Sequence, residues 1–237
     1  MKKIIICFML LLMCGCSLIN NVTDKDITKY LKSKYGDIDF YLVRKSTCNM
    51  FELGYCEYLY SEPSLNGKTF NVTWKDSNGK TMSDNYINNL YSEKLGEEYN
   101  KKFIGKLNFQ YKVNAILDKS CEECNKSLIS FDDYYNLVKN KNVWFYIYPI
   151  NGLDRSNKYF HLKVHDKIDS EYFDQVKEEV KEYMEEKYDF EKIRKVMKET
   201  IELNDMNNID RAIFYMNDCQ DDEYVVSCSF VTDIYKR

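Results

Sequence analysis

The apolar residues of the N-terminal half follow helical spacing first and strand spacing afterwards. Ile27, Leu31 and Tyr35 recur at helical spacing between Thr23, which begins a capping-box-like pattern with Asp26, and Gly36, a suitable helix end. This pattern predicts a short amphipathic helix. Runs rich in aromatic and β-branched residues, separated by turn-forming segments, then predict three antiparallel strands at residues 40–44, 55–60 and 69–74.

A longer helix is predicted to follow, capped by Ser83, before a strand at residues 107–113 closes the first half. The predicted inner face of this helix is apolar and aromatic: Ile87, Leu90, Tyr91, Leu95, Tyr99 and Phe103.

The C-terminal half repeats this order of elements. Ser130 opens a short predicted helix, and strands are predicted at 143–148 and 160–164. A long acidic helix begins at Asp169 or Ser170, with apolar spacing that continues to Ile201, and strands at 212–216 and 224–231 end the chain. The segment FNVTWKD before SDNY also resembles FHLKVHD before DSEY. The sequence therefore predicts an α+β fold of two tandem units, each with a helix, antiparallel strands and a helix.

The first residues have the order of an export signal. Two lysines precede ten apolar residues, Ile4 to Met13, which are too few for a membrane-spanning helix of roughly 20 residues. The following Cys14, Gly15 and Cys16 complete LLMCGC, which resembles the lipobox of bacterial lipoproteins. The resemblance implies cleavage before Cys16 and attachment of a diacylglyceryl group to its thiol, and two acyl chains anchor a protein stably to a membrane.

These patterns define the expected organisation of the chain. In order, it comprises a signal peptide at 1–15, a lipidated tether at 16–23, a first α+β unit at 24–118, a linker at 119–129 and a second α+β unit at 130–237. The segments YLKSKYG, FNVTWKD and SDNYINNLYSEKL, within residues 24–115, also resemble uncharacterised small lipoproteins of low-GC Gram-positive bacteria. That resemblance implies an α+β fold at the extracytoplasmic face of the cell membrane, and no particular chemistry.

Composition and charge exclude several classes of protein. A hydrophobic content of 44% with 8 glycines and 2 prolines favours a packed chain. Loss of Lys2 and Lys3 with the signal leaves 32 of 34 basic side chains beside 38 acidic ones, a net charge of −6, so no nucleic-acid partner is expected. No phosphate-binding or dinucleotide-binding glycine motif occurs, and no cofactor is expected.

The histidines do not form a metal site in this interpretation. His161 and His165 fall in a predicted strand, where they would lie roughly 13 Å apart. That separation is too large for one ion, and we expect both side chains on a solvated face.

The cysteines offer the one compact motif with chemistry attached. Six follow Cys16, at positions 48, 56, 121, 124, 219 and 228, and an even number outside the cytoplasm is compatible with disulfides. Cys121 and Cys124 form a C-x-x-C pair, which is compatible with a structural disulfide or inert thiols, half of a zinc site, or a redox centre.

An aromatic row is the candidate binding surface. Trp144, Tyr146 and Tyr148 share one face of the predicted strand at 143–148, and its other face is aliphatic and aromatic. If exposed, the row could bind a glycan or a peptide. If helices or another sheet cover it, the row belongs to the core.

Two functions follow from these features. The first is a membrane-anchored, non-enzymatic module that binds a protein, peptide or envelope component through its sheet. The alternative is an extracytoplasmic thiol-disulfide oxidoreductase that uses Cys121 and Cys124.

Peptide mapping without reduction tests the cysteine assignment. Cys48 and Cys56 are symmetric about Glu52, so we expect them to form a hairpin disulfide. Cys228 falls on the same face of its predicted strand as its apolar neighbours, which are an even number of residues away. We therefore expect Cys228 to be buried and unpaired. A linkage from Cys48 to either cysteine of the C-x-x-C pair would contradict the hairpin, and a Cys219–Cys228 linkage would contradict the second assignment.

Overall fold

A computed structural model of the 237-residue chain describes residues 22–45, 55–75, 81–119, 121–150, 178, 181–182, 184–216 and 230–237. These residues have an α+β fold with two four-stranded sheets, which confirms the predicted fold class. The helices are α1 (Asp24–Tyr35), α2 (Tyr86–Asn100), α3 (Phe131–Val138) and α4 (Phe190–Leu203), with a 3-10 turn at Pro63–Leu65. The strands are β1 (Tyr41–Lys45), β2 (Tyr55–Ser61), β3 (Phe70–Lys75), β4 (Thr81–Asp84), β5 (Tyr111–Leu117), β6 (Val143–Pro149), β7 (Ile209–Met216) and β8 (Phe230–Lys236).

The chain divides into two compact units, one formed by Met1–Asn89 with Cys124–Leu128 and the other by Leu90–Glu123 with Ile129–Arg237. The change of unit therefore falls within α2, whereas the sequence analysis placed a linker at 119–129. The strand predicted at 107–113 forms four residues later, as β5, and pairs in the second sheet.

The first sheet is an antiparallel meander in the order β1-β2-β3-β4. The strand β4 was not predicted, because its four residues follow a turn-forming segment and were assigned to the start of the next helix. That helix begins at Tyr86 instead of near Ser83, since the Asp84 carboxylate accepts a hydrogen bond from the Tyr86 backbone N–H at 3.1 Å.

Helix α1 packs on this sheet in the way its periodicity predicts. The capping box is present: Asp26 N–H donates to Thr23 Oγ1 at 3.2 Å, and Thr23 N–H donates to Asp26 Oδ2 at 3.1 Å. Gly36 ends the helix with φ +88°, a conformation that glycine adopts without strain. The buried face consists of Ile27, Leu31 and Tyr35.

The second sheet has the order β5-β6-β7-β8, and it departs from the prediction in two respects. β5 was assigned to the first unit but pairs antiparallel with β6, and β6 and β7 are parallel, whereas β7–β8 is antiparallel as predicted. Parallel neighbours require a crossover connection, and α4 lies between these two strands in the chain. Apolar periodicity indicates a strand but not the direction of the neighbouring strand, so the parallel pairing of β6 and β7 could not be predicted from the sequence.

Gly96 in α2 allows the helix to approach β5 closely. A Cβ atom at this position would lie 2.8 Å from Cα of Asn114, a separation that real Cβ atoms essentially never show. The predicted inner face of α2 is confirmed in part, because Ile87, Leu95 and Tyr99 are buried and Leu90 and Tyr91 are half-buried, while the buried Phe103 lies beyond the end of the helix. The predicted strand at 160–164 and most of the predicted acidic helix lie outside the described residues.

Candidate functional site

The predicted alternation of β6 is present. Val143, Phe145 and Ile147 are fully buried, whereas Trp144, Tyr146 and Tyr148 are half-buried on the opposite side of the sheet. Strand register adds neighbours from the other three strands to this second side. We call the set the aromatic face: Lys112, Asn114 and Ile116 of β5; Trp144, Tyr146 and Tyr148 of β6; Arg211, Ile213 and Tyr215 of β7; and Val231 and Asp233 of β8.

Tyrosine rings form a continuous strip across the aromatic face. The rings of Tyr146 and Tyr148 are stacked with centroids 6.3 Å apart, and Tyr148 meets Tyr215 edge to face at 5.4 Å. Such geometries suit the charge distribution of aromatic rings. At the margins of the face, Ile116 and Val231 expose 37% and 52% of their surfaces, so part of the face reaches solvent.

An ion pair at one end of the aromatic face leaves it nearly neutral. Arg211 donates to both carboxylate oxygens of Asp233, at 2.6 and 2.7 Å, and its guanidinium lies 4.9 Å from the centroid of the Trp144 ring. The indole of Trp144 is thus covered on one side by a compensated cation. The tyrosines remain as a half-buried aromatic surface, and Ile213 of the same face is buried.

The hydroxyls of Tyr146 and Tyr148 stay protonated at neutral pH. Burial raises the pKa of Tyr146, with the nearby Arg211 opposing the shift and Asp233 adding to it. Burial also raises the pKa of Tyr148 to about 12. Both hydroxyls can therefore donate as well as accept hydrogen bonds, which suits ligands that carry hydroxyl or amide groups.

Sequence reasoning found the β6 part of this surface and missed the rest. Arg211, Tyr215 and Asp233 join the row only through the parallel β6–β7 pairing and the register of β8. The alternation of Arg211, Ile213 and Tyr215 along β7 was a usable signal for one face of that strand. The sequence offered no signal that this face would adjoin Trp144.

A second polar cluster lies in the first unit around Asp84. The side chain of Asp84 is fully buried, and its Oδ2 accepts hydrogen bonds from the Tyr30 hydroxyl at 2.9 Å and from Lys34 Nζ at 2.6 Å. Its Oδ1 accepts from the Tyr35 hydroxyl at 2.6 Å and from the Tyr86 backbone N–H. The carboxylate is therefore satisfied by four donors.

The Asp84 cluster stabilises the fold and is poorly suited to catalysis. Burial, with the negative charge of Asp84 as the next cause, raises the pKa of both Tyr30 and Tyr35 well above the usual value for tyrosine. Neither phenol can act as a base near neutral pH. Lys34 is held by Asp84 and by the Tyr30 oxygen, so its ammonium group is occupied as a donor.

The cysteines are only partly within the described residues. Cys56, Cys121 and Cys124 are each disulfide-bonded, and each is at most 3% exposed. The predicted partner Cys48 lies outside the described residues, so the hairpin bridge stays a prediction.

Burial matters for the C-x-x-C motif, because disulfide exchange requires a thiolate to reach a sulfur atom. Cys121 and Cys124 are 2% and 0% exposed.

Among the described residues, no group of three or more histidine, cysteine or acidic side chains could hold a metal ion. Cys16, His161, His165, Cys219 and Cys228 lie outside the described residues. A search of the described helices finds none that is long and apolar enough to cross a membrane.

Replacing Asp84 tests the role of the buried cluster. We expect Asp84→Asn to destabilise the protein by about 3–5 kcal/mol. The substitution leaves the Lys34 ammonium without its carboxylate partner, and the new amide NH2 group would face the hydrogen-bond donors that Asp84 now accepts from. Urea denaturation followed by circular dichroism measures the change. The matched control is Asp37→Asn. It breaks the ion pair between Asp37 and Lys32, and because the Asp37 side chain is 91% exposed, the denaturation midpoint should stay unchanged. Equal midpoints for the two variants would contradict the assignment.

Comparison of the chain with protein-family models, with curated proteins and with solved structures finds no match. Its function must therefore be inferred from its own residues. Those residues provide one partly exposed aromatic surface and one satisfied structural cluster within the described parts of the chain.

Proposed function

We propose that this protein is a membrane-anchored extracytoplasmic lipoprotein whose aromatic face binds an envelope component, specifically an uncharged glycan chain. The lipobox-like Cys16 supports the location. The observation that carries the binding function is the strip of half-buried tyrosines on the second sheet, joined to a compensated Arg211–Asp233 pair.

The shape and chemistry of the strip favour a sugar chain over an extended peptide. The regular alternation along β6 sets Tyr146 and Tyr148 side by side on one side of a sheet, where their rings are stacked. Aromatic rings of this kind pack against the apolar C–H faces of sugar rings. Protonated tyrosine hydroxyls supply donors and acceptors for the sugar hydroxyls at the same time.

The charge of the aromatic face favours a neutral ligand. Arg211 is engaged by Asp233 through both carboxylate oxygens, which leaves Lys112 as the one unpaired charge among the named members of the face. Recognition of an anionic polymer would instead call for several free cations. The oxidoreductase alternative is less well supported, because both sulfur atoms of its pair belong to buried residues already in disulfides.

Metabolic labelling tests the anchor. We expect wild-type protein to incorporate a fatty-acid analogue, and Cys16→Ser to remain unlabelled and either leave the membrane fraction or accumulate as an uncleaved precursor. Cys14→Ser is the matched control, because it changes the neighbouring cysteine and should still be labelled. Export of wild-type protein without label would show that the lipobox assignment is wrong.

Retention on chitin, an uncharged polymer of an acetylated amino sugar, tests the aromatic face. We expect the mature protein to be retained, and Tyr146→Ala/Tyr148→Ala to bind roughly thirtyfold more weakly, the effect of losing about 2 kcal/mol from a central aromatic contact. Retention should change little with salt, because the face carries little net charge.

Tyr135→Ala provides the matched control for the binding experiment. Tyr135 is a half-buried tyrosine of α3 in the same unit, and its ring contacts Phe131 instead of the aromatic face. The control should be retained like the wild type, and all variants should melt within a few degrees of one another. Failure of the wild type to bind chitin, or equal loss in the control, would overturn the glycan assignment.

A further inference from the structure

Strand β1 exposes apolar side chains, and it is the edge strand of the first sheet among the described residues. Tyr41, Leu42 and Val43 are exposed to 47%, 37% and 50%, and the basic Arg44 and Lys45 that follow are exposed as well. The strand pairs with β2 and ends the sheet order. Edge strands of soluble proteins are usually short, charged or covered, so three consecutive exposed apolar residues call for a partner.

Val22, the first described residue, lies beside this strand. The Tyr58 hydroxyl of β2 donates a hydrogen bond to the Val22 carbonyl oxygen at 3.3 Å. Tyr58 is the register partner of Lys45, whose Nζ lies 5.8 Å from the centroid of the Tyr58 ring. The first described residue is thus fixed next to the basic end of β1.

The length of chain before Val22 limits how far β1 can lie from the anchor. Cys16 and Val22 are six residues apart in the sequence, and an extended chain advances roughly 3.3–3.6 Å per residue, so the separation is at most about 22 Å. If Cys16 carries acyl chains, as the proposed function requires, Val22 is held within that distance of the lipid surface. β1 is then among the parts of the first unit closest to the membrane.

The charge of this region differs in sign from that of the whole chain. Residues 22–45 carry six basic and four acidic side chains, a net charge of +2, whereas the full chain has a net charge of −4. Of the acidic groups, Asp37 pairs with Lys32, and Asp24 and Asp26 are engaged by Tyr60 and Thr23. Arg44 and Lys45 are exposed beside the apolar residues.

We propose that β1 (Tyr41–Lys45) is a second membrane contact, in which Tyr41, Leu42 and Val43 enter the headgroup region of an anionic phospholipid surface while Arg44 and Lys45 bind its phosphates. The contact rests on the proposed lipid anchor for its proximity to the membrane. It fixes the orientation of the first unit on the membrane, which a flexible tether alone would not do.

Vesicle sedimentation of the unacylated mature chain tests the contact. Residues 16–237 with Cys16→Ser are exported behind an ordinary signal peptide, so that disulfides form, and are mixed with vesicles of phosphatidylglycerol and phosphatidylcholine or of phosphatidylcholine alone. We expect binding to the anionic vesicles that weakens with salt, and much weaker binding to the neutral ones.

Two variants of β1 separate its charged and apolar contributions. Arg44→Glu/Lys45→Glu should bind anionic vesicles at least about thirtyfold more weakly, since each basic residue near an anionic surface contributes roughly a factor of five. The matched control Lys102→Glu/Lys198→Glu makes the same charge change at two exposed lysines of the second unit and should bind almost like the parent. Leu42→Ser/Val43→Ser should also weaken binding, with circular dichroism showing that the fold is retained.

Four results would overturn the proposal. The first is equal binding to neutral and anionic vesicles, and the second is equal loss in the β1 variant and its control. The third is full binding by Leu42→Ser/Val43→Ser together with competition by inorganic polyphosphate, which would identify a soluble anionic polymer as the partner. A concentration-dependent dimer that β1 substitutions abolish would identify a second copy of the chain instead. Acyl labelling of Cys16 is measured separately, so failure of the anchor and failure of the β1 contact give different results.

Discussion

The first unit depends on the buried carboxylate of Asp84. A charge without solvent is costly unless it is paired and fully hydrogen-bonded, and here two phenols, one ammonium group and one backbone N–H meet that requirement. Three of the four donors come from α1, while Asp84 itself ends β4. The network forms only when the helix lies on the sheet in one register and the chain turns into α2 directly after Asp84.

Asp84 and Asp233 are both held by cations, and their surroundings give them different roles. Asp84 is enclosed, and its neighbours are kept in their neutral or fully engaged forms, so the cluster contributes stability. Asp233 is 39% exposed beside the tyrosine strip and pairs with an arginine that also lies over an indole ring. In that position the ion pair removes net charge from a surface and leaves its aromatic part as the proposed recognition element.

The packing of α2 against β5 contrasts with the exposure of apolar side chains on β1. Gly96 lets α2 approach the backbone of β5 at a distance that no side chain would permit. By contrast, β1 leaves apolar side chains in solvent at the edge of its sheet. The exposed apolar side chains of β1 are those that the proposed membrane contact would cover.

Local patterns in the sequence were sufficient for the α+β class, for the capped helix at 24–35, for the alternation of β6 and for Trp144, Tyr146 and Tyr148 as one surface row. These features depend on neighbours within a few residues, where periodicity and capping chemistry act. The tertiary structure alone decided that β5 joins the second sheet, that β6 and β7 run parallel, and that Arg211, Tyr215 and Asp233 complete the aromatic face. It also brought Tyr30, Lys34 and Asp84 together. Each of these depends on pairing between segments far apart in the chain, and apolar spacing within a segment carries no information about which distant segment it will meet.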